Sequence, residues 1–200
     1  MNVGVLVSGA GTNLGALLGA EARGELGAAR IALVISNNPG APALARATAA
    51  GKPALAIDHR GLARMAFEDL LIAGLREVAV ELVVLAGFMR VLTPHFLERF
   101  AGRVINTHPS LLPAFPGMDA PAQAIAAGAR ESGVTVHLVD ASVDGGPMLA
   151  QVAVPVVAGD TAASLHLRIQ AAEHVLLPRI VREIADGQIV LASLRRSRAE

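Results

Sequence analysis

The sequence is defined first by what it lacks. It has no cysteine, tryptophan or tyrosine, and its one lysine is Lys52. Without cysteine there is no disulfide framework, no thiol nucleophile and no cysteine-based metal site. Aromatic residues make up only 2% of the chain, which argues against a surface that stacks single-stranded bases. No apolar run reaches membrane-spanning length.

The chain also lacks an excess of charge of either sign, since 17 acidic residues balance 17 basic ones. A neutral chain has no strong field to attract nucleic acid or an anionic membrane. The arginines near the end, Arg195, Arg196 and Arg198, are interpreted as a solvated tail. The first residues lack the basic start and cleavage site of a secretory signal. We therefore expect a cytoplasmic protein, monomer or homodimer, whose partners are small molecules and neither nucleic acid nor membrane.

What is present is a regular alternation of strand and helix patterns. Continuous apolar runs at residues 3–7, 31–35 and 80–86 predict buried parallel strands, and amphipathic stretches between them predict helices. Runs at 133–139 and 148–156 lie close enough to pair antiparallel, and a long helix is predicted at 162–186. The pattern predicts an α/β protein with an open, mostly parallel, twisted Rossmann-like sheet. We expect helices on both faces and an antiparallel addition in the C-terminal half.

A glycine-rich turn follows the first predicted strand. Ser8-Gly9-Ala10-Gly11-Thr12-Asn13 precedes a helical pattern, and backbone N–H groups at such a helix start can bind an anion. The dinucleotide fingerprint would need glycine where Leu14 stands, and no Gly-Lys-Ser/Thr of a Walker loop is present. A tight turn without a ligand is the alternative. The accompanying polar side chains favour a monophosphate site.

Two polar side chains stand at the end of another strand pattern, in Val104-Ile105-Asn106-Thr107-His108-Pro109. Positions two apart on a strand face the same side, so Asn106 and His108 are expected to project together. The amide can donate to a developing oxyanion, and the imidazole can move protons near neutral pH. The plainer interpretation is that both residues only cap a strand and a turn.

Asp144, in the turn-rich stretch Asp140-Ala141-Ser142-Val143-Asp144-Gly145-Gly146-Pro147, can complete this set. A carboxylate beside an imidazole orients the ring and favours its protonated form. Ser110 has no obvious base, and His108, His137 and Asp144 lack the spacing of a zinc site. Without a protein nucleophile, the simplest acyl chemistry is direct attack by a substrate amine.

Taken together, these motifs resemble the phosphoribosylglycinamide formyltransferase family of purine synthesis, which uses 10-formyltetrahydrofolate. The resemblance runs from Val3 to about Gly187. It is carried by the glycine-rich turn, by Leu85-Ala86-Gly87-Phe88-Met89-Arg90, by Asn106-Thr107-His108-Pro109-Ser110-Leu111-Leu112-Pro113 and by Asp144-Gly145-Gly146-Pro147. It implies a single formyltransferase domain over residues 1–200. Residues 1–100 would form the phosphate-binding half, 101–188 the catalytic and folate-binding half, and 189–200 a tail.

The resemblance also implies a role for individual residues, with no metal. Asn106, His108 and Asp144 would be catalytic. Five residues would bind the ribonucleotide, two of which, at i and i+3 of the long helix, otherwise suggest a solvated face: Gly11, Thr12, Asn13, Gln170 and Glu173. The folate would be bound by Asn106 together with Arg64 (otherwise an ordinary surface arginine), Met89, Arg90, Val91, Leu92, Asp140, Ala141, Ser142, Val143 and Asp144.

The chain departs from the family pattern after Phe115-Pro116-Gly117. Members of the family usually carry a histidine where this chain has Asp119. A carboxylate there would either act on His108 or point to solvent. Other functions also stay open: hydrolysis of formyltetrahydrofolate, formylation of another amine such as an aminoacyl-tRNA, and a non-catalytic nucleotide- or folate-binding module.

Overall fold

The computed structural model describes residues 1–191, which form seven strands and six helices. In chain order these elements are β1 (Asn2–Val7), α1 (Thr12–Ala22), β2 (Arg30–Ser36), α2 (Pro42–Ala49), β3 (Ala54–Ala56), α3 (Arg64–Glu77), β4 (Leu82–Leu85), α4 (Pro94–Arg99), β5 (Val104–His108), α5 (Ala120–Ala126), β6 (Glu131–Leu138), β7 (Met148–Pro155) and α6 (Ala162–Ala185). The three arginines assigned to a solvated tail lie outside the described residues.

All seven strands belong to one sheet, in the order β3-β2-β1-β4-β5-β6-β7. The strands from β3 to β5 are parallel. β6 pairs antiparallel with β5, and β7 pairs antiparallel with β6. The mostly parallel sheet with an antiparallel addition in the C-terminal half is therefore confirmed.

Helices cover both sides of this sheet. Successive strand residues point to opposite sides, and apolar residues on both sides need a helix to pack against. Val3 and Val5 pack into a cluster with α1 and α6, which we call the α1/α6 face. Leu6 and Val83 pack into a second cluster with α3 and α4, the α3/α4 face. The predicted helices on both faces are confirmed.

Several predicted boundaries move by one to three residues. α3 begins at Arg64, two residues after the predicted start at Leu62. The helix expected near 121–129 spans Ala120–Ala126, and the strand expected at 133–139 spans Glu131–Leu138. These ends are set by tertiary pairing and by turns, which apolar periodicity does not record.

The start of α4 shows a different error. Thr93 is the N-cap residue and Pro94 follows it, as predicted, but the Thr93 side chain makes no capping bond. Instead, buried Glu68 of α3 accepts the Thr93 backbone N–H at 2.8 Å and also the Thr93 hydroxyl proton. α3 therefore holds the start of α4.

Among residues 1–191, no helix is both long and apolar enough to cross a membrane. The longest, α6, begins at a capping box in which Thr161 and Ser164 satisfy each other's backbone N–H groups.

Candidate active site

β5 presents different side chains to the two faces of the sheet. Val104 packs into the α3/α4 cluster and Ile105 into the α1/α6 cluster. By the same alternation, Asn106 and His108 point to the α3/α4 face and Thr107 points to the α1/α6 face. The prediction that Asn106 and His108 share a side is therefore confirmed.

Both ring nitrogens of His108 face acceptors. Nε2 lies 2.9 Å from the Phe115 carbonyl oxygen, to which it donates, and Nδ1 lies 3.3 Å from Oδ2 of Asp144. The imidazole is 5% exposed, so water does not compete freely for either nitrogen. A ring with one N–H can donate to one of these acceptors, and a ring with two N–H groups can donate to both.

Asp144 approaches from the β6–β7 loop and is the carboxylate partner of His108. Its Oδ2 also accepts the backbone N–H of Gly117 at 2.8 Å. Burial raises the pKa of Asp144, but the contact with His137, the Gly117 hydrogen bond and the nearby His108 together bring that pKa below its ordinary value of 3.8. The carboxylate is therefore ionised at neutral pH.

The loops that meet at His108 hold unusual backbone conformations. Phe115, Asp119 and Asp144 have φ values of 54°, 56° and 53°, in the left-handed region that residues other than glycine seldom adopt. Gly146 cannot carry a side chain, since a Cβ there would lie 1.8 Å from the Leu138 carbonyl oxygen. Strained, tightly fitted backbone of this kind concentrates at functional sites.

His137 is a fourth member of the cluster, and its place here was not predicted; the sequence suggested it only as part of a weak zinc alternative. It pairs across the sheet with Asn106, and its Nε2 lies 3.2 Å from the Asn106 amide nitrogen and 3.7 Å from Oδ1 of Asp144. Its Nδ1 donates to the Leu138 carbonyl at 2.8 Å. Nε2 therefore lies within reach of both the Asn106 amide and the Asp144 carboxylate. Only one of the two Asn106 amide hydrogens can point at this nitrogen, which leaves the second for a ligand.

The cluster offers an amide donor, a protonatable imidazole and an ionised carboxylate, but no protein nucleophile. Ser110 donates its hydroxyl to the Ala114 carbonyl at 2.5 Å and is fully buried. No group of three or more candidate ligands among residues 1–191 is arranged to hold a metal ion. The geometry therefore suits proton movement and oxyanion stabilisation beside a substrate carbonyl.

On the other side of β5, Glu173 of α6 is buried and 4% exposed. Its Oε1 accepts the Thr107 hydroxyl at 3.0 Å, and its Oε2 accepts the Asn13 amide at 3.4 Å. Burial raises the pKa of Glu173 above its ordinary 4.5, although both hydrogen bonds act to lower it. The solvated-face interpretation is therefore wrong for Glu173.

The glycine-rich turn lies at the start of α1, next to Glu173. Gly11 has φ 69°, and a Cβ there would lie 2.6 Å from that of Ala43, so only glycine fits. Thr12 accepts the Gln170 amide at 2.9 Å. The Asn13 Oδ1 is buried without a hydrogen-bond partner in the described part of the chain. The five predicted ribonucleotide residues thus lie together where α1 meets α6.

The predicted folate residues after β4 lie on the loop from Ala86 to Thr93, the β4–α4 loop. Met89 and Val91 are exposed, whereas Leu92 is buried. Arg90 places its guanidinium carbon 5.6 Å from the centre of the Phe67 ring. Arg64 is exposed at the first position of α3.

A pocket of about 250 Å³ opens between α4 and the β6–β7 loop. It shares Asp140 and Ala141 with the predicted folate residues, whereas Met89–Leu92 and Ser142–Asp144 lie outside it. Its lining residues are Pro94, Leu97, Glu98, Ala101, Gly102, Leu138, Val139, Asp140, Ala141 and Pro147. The mainly apolar walls suit a flat ring with a polar edge.

Asp119, which replaces the usual histidine, is exposed at the N-cap of α5 and makes no side-chain capping bond. Among the described residues, the carboxylate that faces His108 is that of Asp144. Of the two possibilities raised by the sequence, Asp119 therefore takes the solvent-facing one.

The fold and this cluster define a class: an α/β domain whose carboxyl strand ends hold groups for transfer chemistry at a carbonyl. Residues 1–181 match the family model described as formyl transferase. The phosphoribosylglycinamide formyltransferase of Escherichia coli is 40% identical over 190 residues, which cover 94% of this chain and 89% of that protein. The chain belongs to the phosphoribosylglycinamide formyltransferase family.

Two further comparisons agree. The crystal structure of glycinamide ribonucleotide transformylase 1 from Symbiobacterium toebii superposes with a TM-score of 0.92 at 45% identity, covering 95% of this chain and 90% of that one. The trifunctional purine biosynthetic protein adenosine-3 of Drosophila melanogaster is 45% identical over 95% of this chain. The chain spans only 14% of the length of that trifunctional protein.

Proposed function

We propose that the protein transfers the formyl group of 10-formyltetrahydrofolate to the amine of 5′-phosphoribosylglycinamide, a step of purine biosynthesis. The observation that carries this proposal is the cluster of Asn106, His108 and Asp144, which lies on the opposite side of β5 from the buried Glu173. Membership of the phosphoribosylglycinamide formyltransferase family supplies the substrate class.

In the proposed reaction, the substrate amine attacks the formyl carbon directly, and negative charge develops on the formyl oxygen. Asn106 donates its free amide hydrogen to that oxygen, and the Nε2–H of His108 turns to it from the Phe115 carbonyl. The bond from the formyl carbon to N10 of the folate then breaks, and the electron pair stays on N10. As that bond breaks, His108 gives its Nε2 proton to N10 and then takes up the proton lost by the amine, so the ring ends as it began. Asp144 holds the imidazole in place throughout.

We assign the ribonucleotide to the side where α1 meets α6. The α1 start has no side-chain cap, so its backbone N–H groups at Gly11, Thr12 and Asn13 are suited to a phosphate. Gln170 and Glu173 would contact the ribose and its neighbouring groups. The unpartnered Asn13 Oδ1 supports this assignment, since buried polar atoms normally have partners.

We assign the folate to the α3/α4 side. The pterin would lie between the backbone of Met89–Leu92 and the loop Asp140–Asp144, next to the pocket that Asp140 and Ala141 help to line. Arg64, exposed at the start of α3, would meet the folate outside the pocket. The exposure of Met89 and Val91 suits this role, because exposed apolar side chains beside a pocket provide contact surface.

The decisive test is an assay of formyl transfer with purified protein, 10-formyltetrahydrofolate and 5′-phosphoribosylglycinamide. We expect formylated product, and no release of formate when the amine is omitted. Formate release without the amine would instead indicate a hydrolase. Binding of both ligands without turnover would indicate a binding module, and transfer only to another amine would indicate a different formyltransferase.

The phosphate site can be tested without turnover. In a crystal soaked in phosphate or sulfate, we expect the anion on the backbone N–H groups of Gly11, Thr12 and Asn13. An empty turn at high anion concentration, with the anion bound elsewhere in the cleft, would contradict the assignment.

The predicted division into halves 1–100 and 101–188 and a tail 189–200 stays a proposal. The contacts of Thr12 with Gln170 and of Asn13 with Glu173 cross that division, so we expect neither half to bind the ribonucleotide alone. Cytoplasmic location and a monomeric or homodimeric state are proposed with it.

A further inference from the structure

A chain of hydrogen bonds crosses the carboxyl ends of four neighbouring parallel strands. Its members are His59, Asn37, Ser8 and Met89, which follow β3, β2, β1 and β4, and these strands are adjacent in that order. None of the four belongs to the catalytic cluster, and only Met89 has been assigned to a ligand.

Each link in this chain has a defined direction. The Met89 backbone N–H donates to the Ser8 hydroxyl oxygen at 2.7 Å, and the Ser8 hydroxyl donates to Oδ1 of Asn37 at 2.6 Å. Nδ1 of His59 lies 3.2 Å from the Asn37 amide nitrogen and 2.9 Å from the Asn37 carbonyl oxygen. Either tautomer of His59 therefore binds Asn37, once as acceptor and once as donor.

A second path leads from His59 to the same loop. The His59 ring meets the Phe67 ring edge-on, with centroids 6.2 Å apart and planes at 71°. Phe67 is 2% exposed, and the Arg90 guanidinium lies over its ring. His59 thus contacts Asn37, which binds the Ser8 hydroxyl that holds the Met89 backbone, and it also contacts the ring under the Arg90 guanidinium.

We propose that His59 is a positioning residue for the β4–α4 loop and, through it, for folate binding. The inference rests on the proposed function, in which Met89–Leu92 line the pterin site. Two separate contacts fix the adjacent residues Met89 and Arg90, which lie between the buried anchors Phe88 and Leu92 of the loop. Removal of His59 should therefore loosen this part of the loop without disturbing Asn106, His108 or Asp144. A loop ordered before binding spares the ligand the entropy of ordering it.

Four variants separate the two paths. His59→Ala removes both, His59→Phe keeps a ring against Phe67, and His59→Asn keeps a polar group toward Asn37. Ser8→Ala breaks the hydrogen-bond chain next to Met89. The matched control is Arg60→Ala in the same β3–α3 segment, because the exposed Arg60 guanidinium bonds to Asp58, two residues away, and not to the hydrogen-bond chain.

For His59→Ala and Ser8→Ala, we expect the folate KM and the Kd of a non-reactive folate analogue to rise about three- to tenfold, the value of one or two hydrogen bonds. We expect kcat and the ribonucleotide KM to stay within about twofold of wild type. His59→Phe and His59→Asn should each show a smaller rise, and Arg60→Ala none. A folate KM within about twofold of wild type in His59→Ala, or an equal loss for both substrates, overturns the proposal.

Hydrogen exchange at the Met89 amide, measured without ligands, makes this test independent of turnover. We expect exchange to accelerate about tenfold in Ser8→Ala and His59→Ala and to stay unchanged in Arg60→Ala. Unchanged exchange in both variants overturns the positioning role. An inactive wild type whose Met89 amide still responds to these variants would reject the proposed function and leave the link to the loop standing.

Discussion

Two carboxylates, the partly buried Asp144 and the buried Glu173, lie on opposite sides of β5 in opposite environments. Asp144, on the α3/α4 side, faces the imidazoles of His108 and His137, and its pKa is lowered. Glu173, on the α1/α6 side, accepts hydrogen bonds from a hydroxyl and an amide, and burial raises its pKa. The charge of Asp144 is therefore favoured by its neighbours, whereas burial disfavours the charge of Glu173.

The difference follows from the alternation of one strand. Asn106, Thr107 and His108 are consecutive, so adjacent residues point to opposite faces. The proposed chemistry needs a charge next to an imidazole on the folate side, and a firmly held carboxyl group that binds the substrate on the ribonucleotide side. The contrast teaches that a single strand can hold a reacting group and a binding group within two residues of each other, while the carboxyl group on each side keeps its own pKa shift.

The largest expected effect is that of Asp144→Asn on formyl transfer. Asparagine keeps the shape and can still accept the Gly117 N–H, but it removes the charge beside His108. We expect kcat to fall on the order of a hundred- to a thousandfold, as for the loss of an oxyanion donor, with a much smaller loss of affinity for a non-reactive folate analogue. An unchanged rate, or equal losses of rate and affinity, would mean that Asp144 only shapes the pocket.

The same variant tests the lowered pKa. A depressed carboxyl pKa stabilises the fold above the unfolded value, and this contribution is lost as pH falls through the folded value. Because the pKa of Asp144 lies below 3.8, we expect wild type to lose melting temperature below about pH 4 more steeply than Asp144→Asn. Parallel melting curves of the two proteins would argue that the charge is not stabilised in the folded state.

Glu173→Gln should have an intermediate effect on the opposite side. We expect the ribonucleotide KM to rise about tenfold, the value of one hydrogen bond to a ligand, and the folate KM to stay unchanged. Gln170→Glu is a comparison variant on the same helix. It adds a carboxylate, whereas Glu173→Gln removes one. A matching rise in folate KM for Glu173→Gln would show that the two sides of β5 are not separated.

The pH dependence of Glu173 has the opposite sign to that of Asp144. A raised carboxyl pKa stabilises the fold fully below the unfolded value, and this contribution is lost as pH rises through the folded value. We therefore expect the free energy of unfolding of wild type to fall as pH rises above 4.5, and this fall to be absent in Glu173→Gln. Urea titrations of wild type and Glu173→Gln at several pH values measure these free energies of unfolding.

The sequence predicted one side of β5 better than the other. The spacing of Asn106 and His108 was enough to place them together, because alternation in a strand is local. The prediction that Asp144 lies beside His108 is confirmed. Asp144 belongs to the loop that follows β6, and β6 pairs directly with the strand that carries His108. The position of His137 opposite Asn106 depends on the register between β5 and β6, which no local pattern specifies.

Glu173 illustrates what a single sequence does not determine. A glutamate three residues after a glutamine on a long helix has the pattern of a solvated face, and only the packing of α6 against α1 buries it. Thr93 shows the same limit in reverse, because a residue with ideal capping chemistry is bound by Glu68 from another helix. In both cases a tertiary partner overrides a local preference.

The smallest expected effect, and the sharpest test of the contrast, is that of Thr107→Val. Valine keeps the β-branched shape but removes the hydroxyl that donates to Glu173, so a buried acceptor loses a partner. We expect the free energy of unfolding to fall by about 1 kcal/mol, or the melting temperature by about 2–4 °C for a domain of this size. Thr107→Ser should largely restore this stability.

The same variant tests whether the two sides of β5 act separately. Because the Thr107 hydrogen bond lowers the pKa of Glu173, its removal should move the pH-dependent fall in stability to higher pH. The value of kcat should stay within about twofold, since Asn106 and His108 point to the other face. A drop in kcat comparable to that of Asp144→Asn would show that the two carboxylates act as one unit across β5.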